Sequence, residues 1–589
     1  MPNLLVQRLS VVIVAFSLSA TAEANAEERT AADILPPTTL AFAEIRQPVE
    51  LLRIIYDHEL AGRLMALDSV RAAMEKKAYL DFKALVAIIE SQMGLPWRQI
   101  VGQATGGGIA IAVDAKTNGV VILAQATDGA THSKLVETLV KLATVDAKNK
   151  GNADPVETSD YRGVNVYAVE NIKIAAASDW LAVTNNAELG KQVLDRILDR
   201  SDDSLAGDAQ FANVHGAVSP STTVWGYVNT AALREAGVAT KLFEDRADNP
   251  LAEIILGGIL STLRQTPYVT VDLAVSNRGM RLSASAPHDR AWAGELREYY
   301  FGPQGMGAAP PRLLAHDAIL SVSAYRDISA MWLRAGDLLD EQANEEVAKA
   351  DSGLSTLFSG KDFGEDILGS FGPEVRVVVV RQEFAEGQPA PAIKLPAFGL
   401  VADLKDPAKM QPELRRTFQN LVGFFNVVGA MNGQPQLELA TEKSDSTDLV
   451  TASHLSDTDA DDPLRLRINY NFSPSIAFAN GRFALTTTRT LAHAVATADA
   501  TREQPGDAQR VVNTDAVLHF DALREVFADN REQLIAQNMI EEGHSRDEAE
   551  QAIGVLLELV AWFDELALRL DTTPSQLQAT LELSLNLAN

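Results

Sequence analysis

His58-Glu59-Leu60-Ala61-Gly62 begins like the helix of a zinc protease, but Gly62 stands where the second His must lie on the same helix face. Two of the three protein ligands are therefore missing, and His58 and Glu59 read as helix-surface residues. The nine His residues never recur at i, i+3 or i+4, and there is no Cys, so a zinc site would need distant His and carboxylates. Gly102-Gln103-Ala104-Thr105-Gly106-Gly107-Gly108 has the glycines of a phosphate loop without the following Lys-Ser or Lys-Thr, and reads as a turn into a strand. Neither a Gly-x-Ser-x-Gly elbow nor a Ser-x-x-Lys pair occurs. The most ligand-like element is Asp457-x-Asp459-x-Asp461, whose alternate acids suit calcium. Asp462 replaces the turn Gly of a helix-flanked calcium loop, and Ile468 replaces its closing Glu. A looser calcium contact through Asp457, Asp459 and Asp461 is the one metal reading left, against a plain solvated loop. No catalytic or cofactor-binding residue emerges, and no cofactor is expected.

Export is the clearest message of the amino terminus. Arg8 gives a positive start and Leu9–Leu18 a short apolar core. Ala22-Glu23-Ala24 or Ala24-Asn25-Ala26 then supplies a cleavage box, so residues 1–26 read as a signal peptide cut within Ala22–Glu27. The apolar run is well short of the ~20 residues of a membrane span. Without Cys the chain can carry neither a lipid-modified start nor a disulfide, and its core alone must hold it. Later apolar stretches, 254–260 and 553–560, have the length of core helices. The expected product is an exported protein, periplasmic or secreted, with no transmembrane segment. Its net charge of -28, unchanged by removing residues 1–26 because Arg8 and Glu23 cancel, favours solubility and excludes nucleic acid as a partner.

The elements read as two rounds of one pattern. Ile100-Val101-Gly102 and Gly106–Val113 match Ile367-Leu368-Gly369 and Gly372–Val380. Val121–Ala124 with a helix from Ser133 matches Phe398–Val401 with a helix from Lys409, and Ile174–Thr184 matches Ile476–Thr486. Such self-similarity predicts two tandem diverged copies of one module, at residues 27–290 and 312–589 with a Gly-rich linker at 291–311. Tyr299-Tyr300-Phe301, beside that linker, suits sealing a domain edge better than an exposed recognition patch. Val269, Val271, Leu273 and Val275 alternate along one strand, Asn277-Arg278-Gly279 turns, and Met280, Leu282 and Ala284 continue the face. Leu566–Leu570, Thr572-Thr573-Pro574 and Leu577–Leu585 repeat that hairpin. Gly543 stops one helix, Ser545–Glu548 boxes the start of the next, and Val555, Leu556, Leu559, Val560 and Phe563 are its expected buried stripe. Antiparallel sheets with one solvated face, covered by helices, give an α+β class.

The Pro-Pro openings at 36–37 and 310–311, each followed by a strand and a helix, and Lys361–Val375 (an acid, an apolar pair, Gly, then a strand) carry a resemblance. The chain resembles an uncharacterised family of exported bacterial proteins with a domain of unknown function. The first copy departs from that phrase, with Trp97-Arg98-Gln99 where an acidic lead-in belongs. The resemblance implies no activity and no functional residues.

The leading functional reading is a non-catalytic envelope scaffold or binding protein whose partner class is another envelope protein. A hydrolase with a site assembled from dispersed residues is the alternative, and a periplasmic carrier of an apolar ligand is the third. The polar candidates His58, His132, Asp457 and Asp459 lack matching partners in the other copy. His58 and His132 are therefore expected apart from each other, from Asp457 and from any deep cleft.

Overall fold

The computed structural model describes residues 29–587 except 150, 152–154, 202, 244–245, 314, 385–390, 433–435, 445–446, 455–467, 499 and 502–509. The leader and Asp457, Asp459 and Asp461 lie outside the described residues. The chain forms two compact units. Unit one runs to Thr240 and takes in Thr266–Ser285, and unit two comprises Lys241–Gln265 and everything from Ala286.

Unit one is an antiparallel sheet between helices. Its strands are β1 (Thr39–Ile45), β2 (Gly108–Asp114), β3 (Val120–Gln125), β4 (Glu157–Tyr161), β5 (Val164–Val169), β6 (Ile172–Ala177), β7 (Trp180–Thr184), β8 (Val224–Val228), β9 (Val269–Ser276) and β10 (Gly279–Pro287). They pair in the order β4-β5-β6-β7-β3-β2-β1-β8-β9-β10. Short links between β4, β5, β6 and β7 make neighbours of successive strands, as hairpin grammar requires. Alternation along these strands gives the sheet two apolar faces. One carries the main core, where Phe42, Phe211, Trp225 and Tyr227 pack edge-to-face beneath helices Ala187–Asp199 and Ala209–Gly216. Against the other lie helices Lys77–Met93, Trp97–Thr105 and Gly129–Asn149, with Ile89, Ile100, Leu135 and Val136 buried.

Unit two has its own sheet: β12 (Ala318–Tyr325), β13 (Phe371–Val380), β14 (Ala397–Leu404), β15 (Leu437–Lys443), β16 (Asp448–His454), β17 (Ser475–Ala479), β18 (Arg482–Thr486), β20 (Val511–His519), β21 (Phe563–Thr572) and β22 (Gln576–Leu585). The two-residue strands β11 (Arg312–Leu313) and β19 (Ala500–Thr501) pair apart from it. The order is β15-β16-β17-β18-β14-β13-β12-β20-β21-β22, antiparallel throughout. Position for position, this is the order of unit one. The register agrees as well: Ala175 faces Ala182 and Ala182 faces Leu123 in unit one, while Ala477 faces Ala484 and Ala484 faces Val401 in unit two.

The fold class is α+β. Among the described residues no helix is long and apolar enough to cross a membrane. Three local expectations need correction. Helices cover both faces of the sheet in unit one, so a single solvated face is not the rule. On β10 it is Ser283 that is buried, while Met280 and Leu282 are exposed near the hairpin tip. In helix Arg546–Ala561 the buried line is Ala549, Ile553 and partly buried Leu557 at i, i+4 spacing; Leu556 is exposed, and Phe563 already begins β21. Tyr299, Tyr300 and Phe301 are fully buried in a core of unit two, which removes the recognition-patch reading.

Candidate functional site

Three places in unit one bring chemistry-bearing side chains together, and each depends on its sheet. The first is built on β1. Glu44 lies near the end of β1 and Arg46 just past it, and helix Ala209–Gly216 lowers His215 onto them. Glu44 Oε1 takes a hydrogen bond from Arg46 Nε at 2.5 Å and lies 3.0 Å from His215 Nε2, which is 3.0 Å from Arg46 Nη2. Burial pushes the Glu44 carboxyl up, but hydrogen bonds from His215 and Arg46 outweigh it and hold the group below the usual carboxylate range. The imidazole stacks on Phe211 at 5.0 Å. The adjoining pocket, about 260 Å³, is lined also by Arg29, Thr30 and Trp180. The Thr30 hydroxyl is engaged with Asp33. The result is an acid and an imidazole closed by a guanidinium, a stable ion-paired cluster without a hydroxyl for the imidazole to activate.

The second place lies between helix Gly129–Asn149 and the sheet. Asp128 starts that helix by accepting from Ala130 N and the Thr131 hydroxyl, which sets His132 in the first turn pointing inward. Its Nε2 donates to the Ala104 carbonyl at 2.6 Å, and Nδ1 is buried with no partner. Burial drives the His132 pKa down; Ala104, Asp179 and Asp128 oppose that and lose. The ring lines a narrow apolar cavity of about 60 Å³ with Leu135, Leu139, Val140, Tyr167 and Leu181. Such a space holds a few water molecules at most, and its apolar walls favour leaving it dry. The expectation that His132 would stand away from any cleft is therefore wrong: its apolar helix face carries it inside. His58, in contrast, is a half-buried helix N-cap whose Nδ1 accepts from Leu60 N while Nε2 reaches the Asn277 carbonyl.

The third place is on the opposite face of the same strands. Helix Ala187–Asp199, capped by Asn186, lies beside β4, β5 and β6 and leaves a groove of about 350 Å³. Val166, Ala168, Ala175, Ala182 and Leu194 form an apolar floor, and Lys173, Lys191, Ser159 and Tyr161 stand around it. The Lys191 ammonium sits 5.9 Å from the centre of the Tyr161 ring. The Tyr161 hydroxyl donates to Asp195, and Arg162 holds both Asp195 and Asp199 at 2.6 Å. Neither Lys173 nor Lys191 is ion-paired with a described residue. This arrangement can hold an amphipathic molecule: an apolar surface below, cations at the rim.

Sequence reading singled out His132 and His58 but missed Glu44, Arg46, His215, Lys173 and Lys191. Glu44 and His215 are 171 residues apart, and the groove draws on five separate elements, so no local spacing announces either. No group of three or more His, Asp or Glu residues that could hold a metal occurs among the described residues.

No family model and no curated protein matches the chain. Among solved structures, similarity is found to "Structure of crystal form IV of TP0453" at 11% identity, covering 44% of this chain and 81% of that one with a TM-score of 0.25. Crystal form I of the same protein gives 10% identity, 44% and 79% coverage and a TM-score of 0.23. Likeness this low supports no inference about fold or activity.

Proposed function

We propose that the protein is a non-catalytic binding protein of the cell envelope, with its ligand held in unit one. We also take the two units as diverged copies of one module, a reading supported by their identical strand order. One observation carries the function. The groove beside helix Ala187–Asp199 is open in unit one, whereas larger side chains stand at the matched positions of unit two. Strand register and the helix caps Asn186 and Thr488 align Ser159 with Glu442, Ala168 with Thr451, Ala187 with Arg489 and Gly190 with Ala492. At these four positions unit one has the smaller side chain, although Lys173 and Leu194 are larger than Ser475 and Ala496 opposite them.

The test transplants unit two's side chains. In the full chain, Ser159→Glu with Ala187→Arg should leave the fold intact and abolish the thermal stabilisation that small amphipathic molecules give the wild type. A stabilisation that survives the transplant would place the ligand elsewhere, and turnover of ester or amide substrates above background would revive the hydrolase. Export fits this role, supported by the Arg8 start and the small residues after Leu18. Amino-terminal sequencing of the mature chain should find it beginning within Ala22–Glu27, and a start at Met1 would refute export.

A second reading, docking to an envelope protein partner, is favoured by the end of helix Pro407–Met431. There Phe424, Phe425 and Val427 are more than half exposed and Met431 is 82% exposed. Phe424→Ser with Phe425→Ser should then abolish crosslinking to envelope proteins without lowering stability; unchanged crosslinking removes this reading.

A further inference from the structure

We infer that the groove of unit one takes a small organic carboxylate with an apolar tail, its carboxylate standing where unit two carries the side chain of Glu442. This deepens the binding reading above and rests on it. In unit two, Glu442 on β15 receives Arg489 at 2.5 Å and His493 at 3.2 Å, both from the helix Arg489–Thr497 that crosses the strands. The acid is thus the counterion of Arg489 and lies within hydrogen-bond reach of the His493 ring one turn on. In unit one, the matched strand position is Ser159 and the two helix positions are Ala187 and Lys191. The second helix position holds an ammonium, Lys191, where unit two has His493, while the matched acid is absent. A second cation has been added, because Lys173 occupies the position of Ser475.

The neighbouring acids do not replace Glu442. Asp195 accepts from Tyr161 and Arg162, and Asp160 turns to the Gly163 amide at 3.2 Å. Glu157 shares the strand face but lies two strands from Lys173, with Ala168 between them. In a chain with 79 acidic and 51 basic residues, cations have an excess of partners to choose from, so two lysines with no ion pair among the described residues in one groove are notable. The field of the whole molecule repels anions, so binding must come from short-range contact with the two ammonium groups and from burial of the tail on Ala168, Ala175 and Leu194. A carboxylate, matching the lost side chain in charge and size, satisfies both.

Calorimetry on the full chain with octanoate, octanol and inorganic phosphate tests this. Octanoate should bind at least about tenfold more tightly than octanol, since hydrogen bonds to charged groups are the stronger ones. Ser159→Glu, which restores unit two's acid beside Lys191, should weaken octanoate about tenfold or more and leave octanol unchanged. Lys191→Gln, a near-isosteric change at an exposed position, should do the same without adding charge. Equal affinity for octanoate and octanol, unmoved by either variant, would overturn the carboxylate while leaving the binding reading in place. Phosphate that displaces octanoate would overturn it in favour of another anion. Absence of binding by both octanoate and octanol would sink both the inference and the reading beneath it.

Discussion

Replacing His132 by Met, the residue at the matched position 410 of unit two, should flatten the acid sensitivity of unit one. Nε2 donates to a carbonyl, so Nδ1 carries the lone pair, and it is buried without a partner. Protonation would place a charge at a completely buried ring. Burial accordingly lowers the folded pKa below the ordinary 6.5, against the smaller upward pulls of Ala104, Asp179 and Asp128. The sign follows from linkage. With the folded value depressed, the unfolded chain binds more protons once the pH falls below 6.5. The stability held by neutral His132 is therefore complete above that pH and lost as pH falls toward the folded pKa. Within that window each pH unit removes at most about 1.4 kcal/mol. Met removes the titration but also strips the Ala104 carbonyl of its donor, which costs about 1 kcal/mol at neutral pH. Urea unfolding followed by tryptophan emission should show His132→Met less stable by about 1 kcal/mol near pH 7.5 and level with or above the wild type near pH 5.5. Parallel stability curves for the two proteins between those pH values would refute the buried-neutral account.

Two further outcomes follow from unit two. Glu253 lies fully buried against Arg297 at 3.0 Å and accepts from the Tyr299 hydroxyl at 2.7 Å, so Glu253→Gln removes the carboxylate charge that faces a buried guanidinium. That should cost about 3–5 kcal/mol by urea unfolding, and a loss below about 1 would show that the pair is not what holds this core. Ser545→Ala breaks the capping box with Glu548 and should cost about 1 kcal/mol, read as a lower thermal midpoint; an unchanged midpoint would remove the cap from the account.

What was legible in the sequence was what short range decides. The Ser545–Glu548 box, the Gly543 stop and the hairpin of β21 and β22 stand where local chemistry puts them, with Leu566 facing Leu583 and Leu568 facing Leu581. The repeated phrases were placed unevenly. Ile174–Thr184 and Ile476–Thr486 coincide in strand register, as do Ile109 and Val375. The match of Val121 with Phe398 slips by one, because Val121 and Gly399 face Thr184 and Thr486, and a one-residue slip on a strand exchanges its faces. The helix match slips by two: the caps Asp128 and Asp406 align Ser133 with Gln411 instead of Lys409. Apolar runs tolerate such shifts, since Val, Ile, Leu and Ala fit either register by composition alone. The groove was invisible for a different reason. Ser159, Lys173, Ala187 and Lys191 are unremarkable one by one, and their meaning lies in Glu442, Ser475, Arg489 and His493, which only pairing brings into correspondence.

That correspondence also explains why a site would arise at this edge of the sheet. Beneath the helix the two units agree at several deeply buried positions, Leu189 with Leu491, Val193 with Val495, Ala175 with Ala477 and Ala182 with Ala484, while Leu194 stands opposite Ala496. A methylene lost at any of these opens a cavity in a packed core and costs on the order of 1 kcal/mol. Ser159, Ala187 and Lys191 are exposed, and exchange at such positions usually shifts stability by less than about 0.5 kcal/mol. The rim can therefore differ between the units while Leu189, Val193, Ala175 and Ala182 stay the same. Unit two carries the Glu442–Arg489 pair at this rim; unit one carries Lys173 and Lys191 there, and on the proposal above has room for an acid from outside.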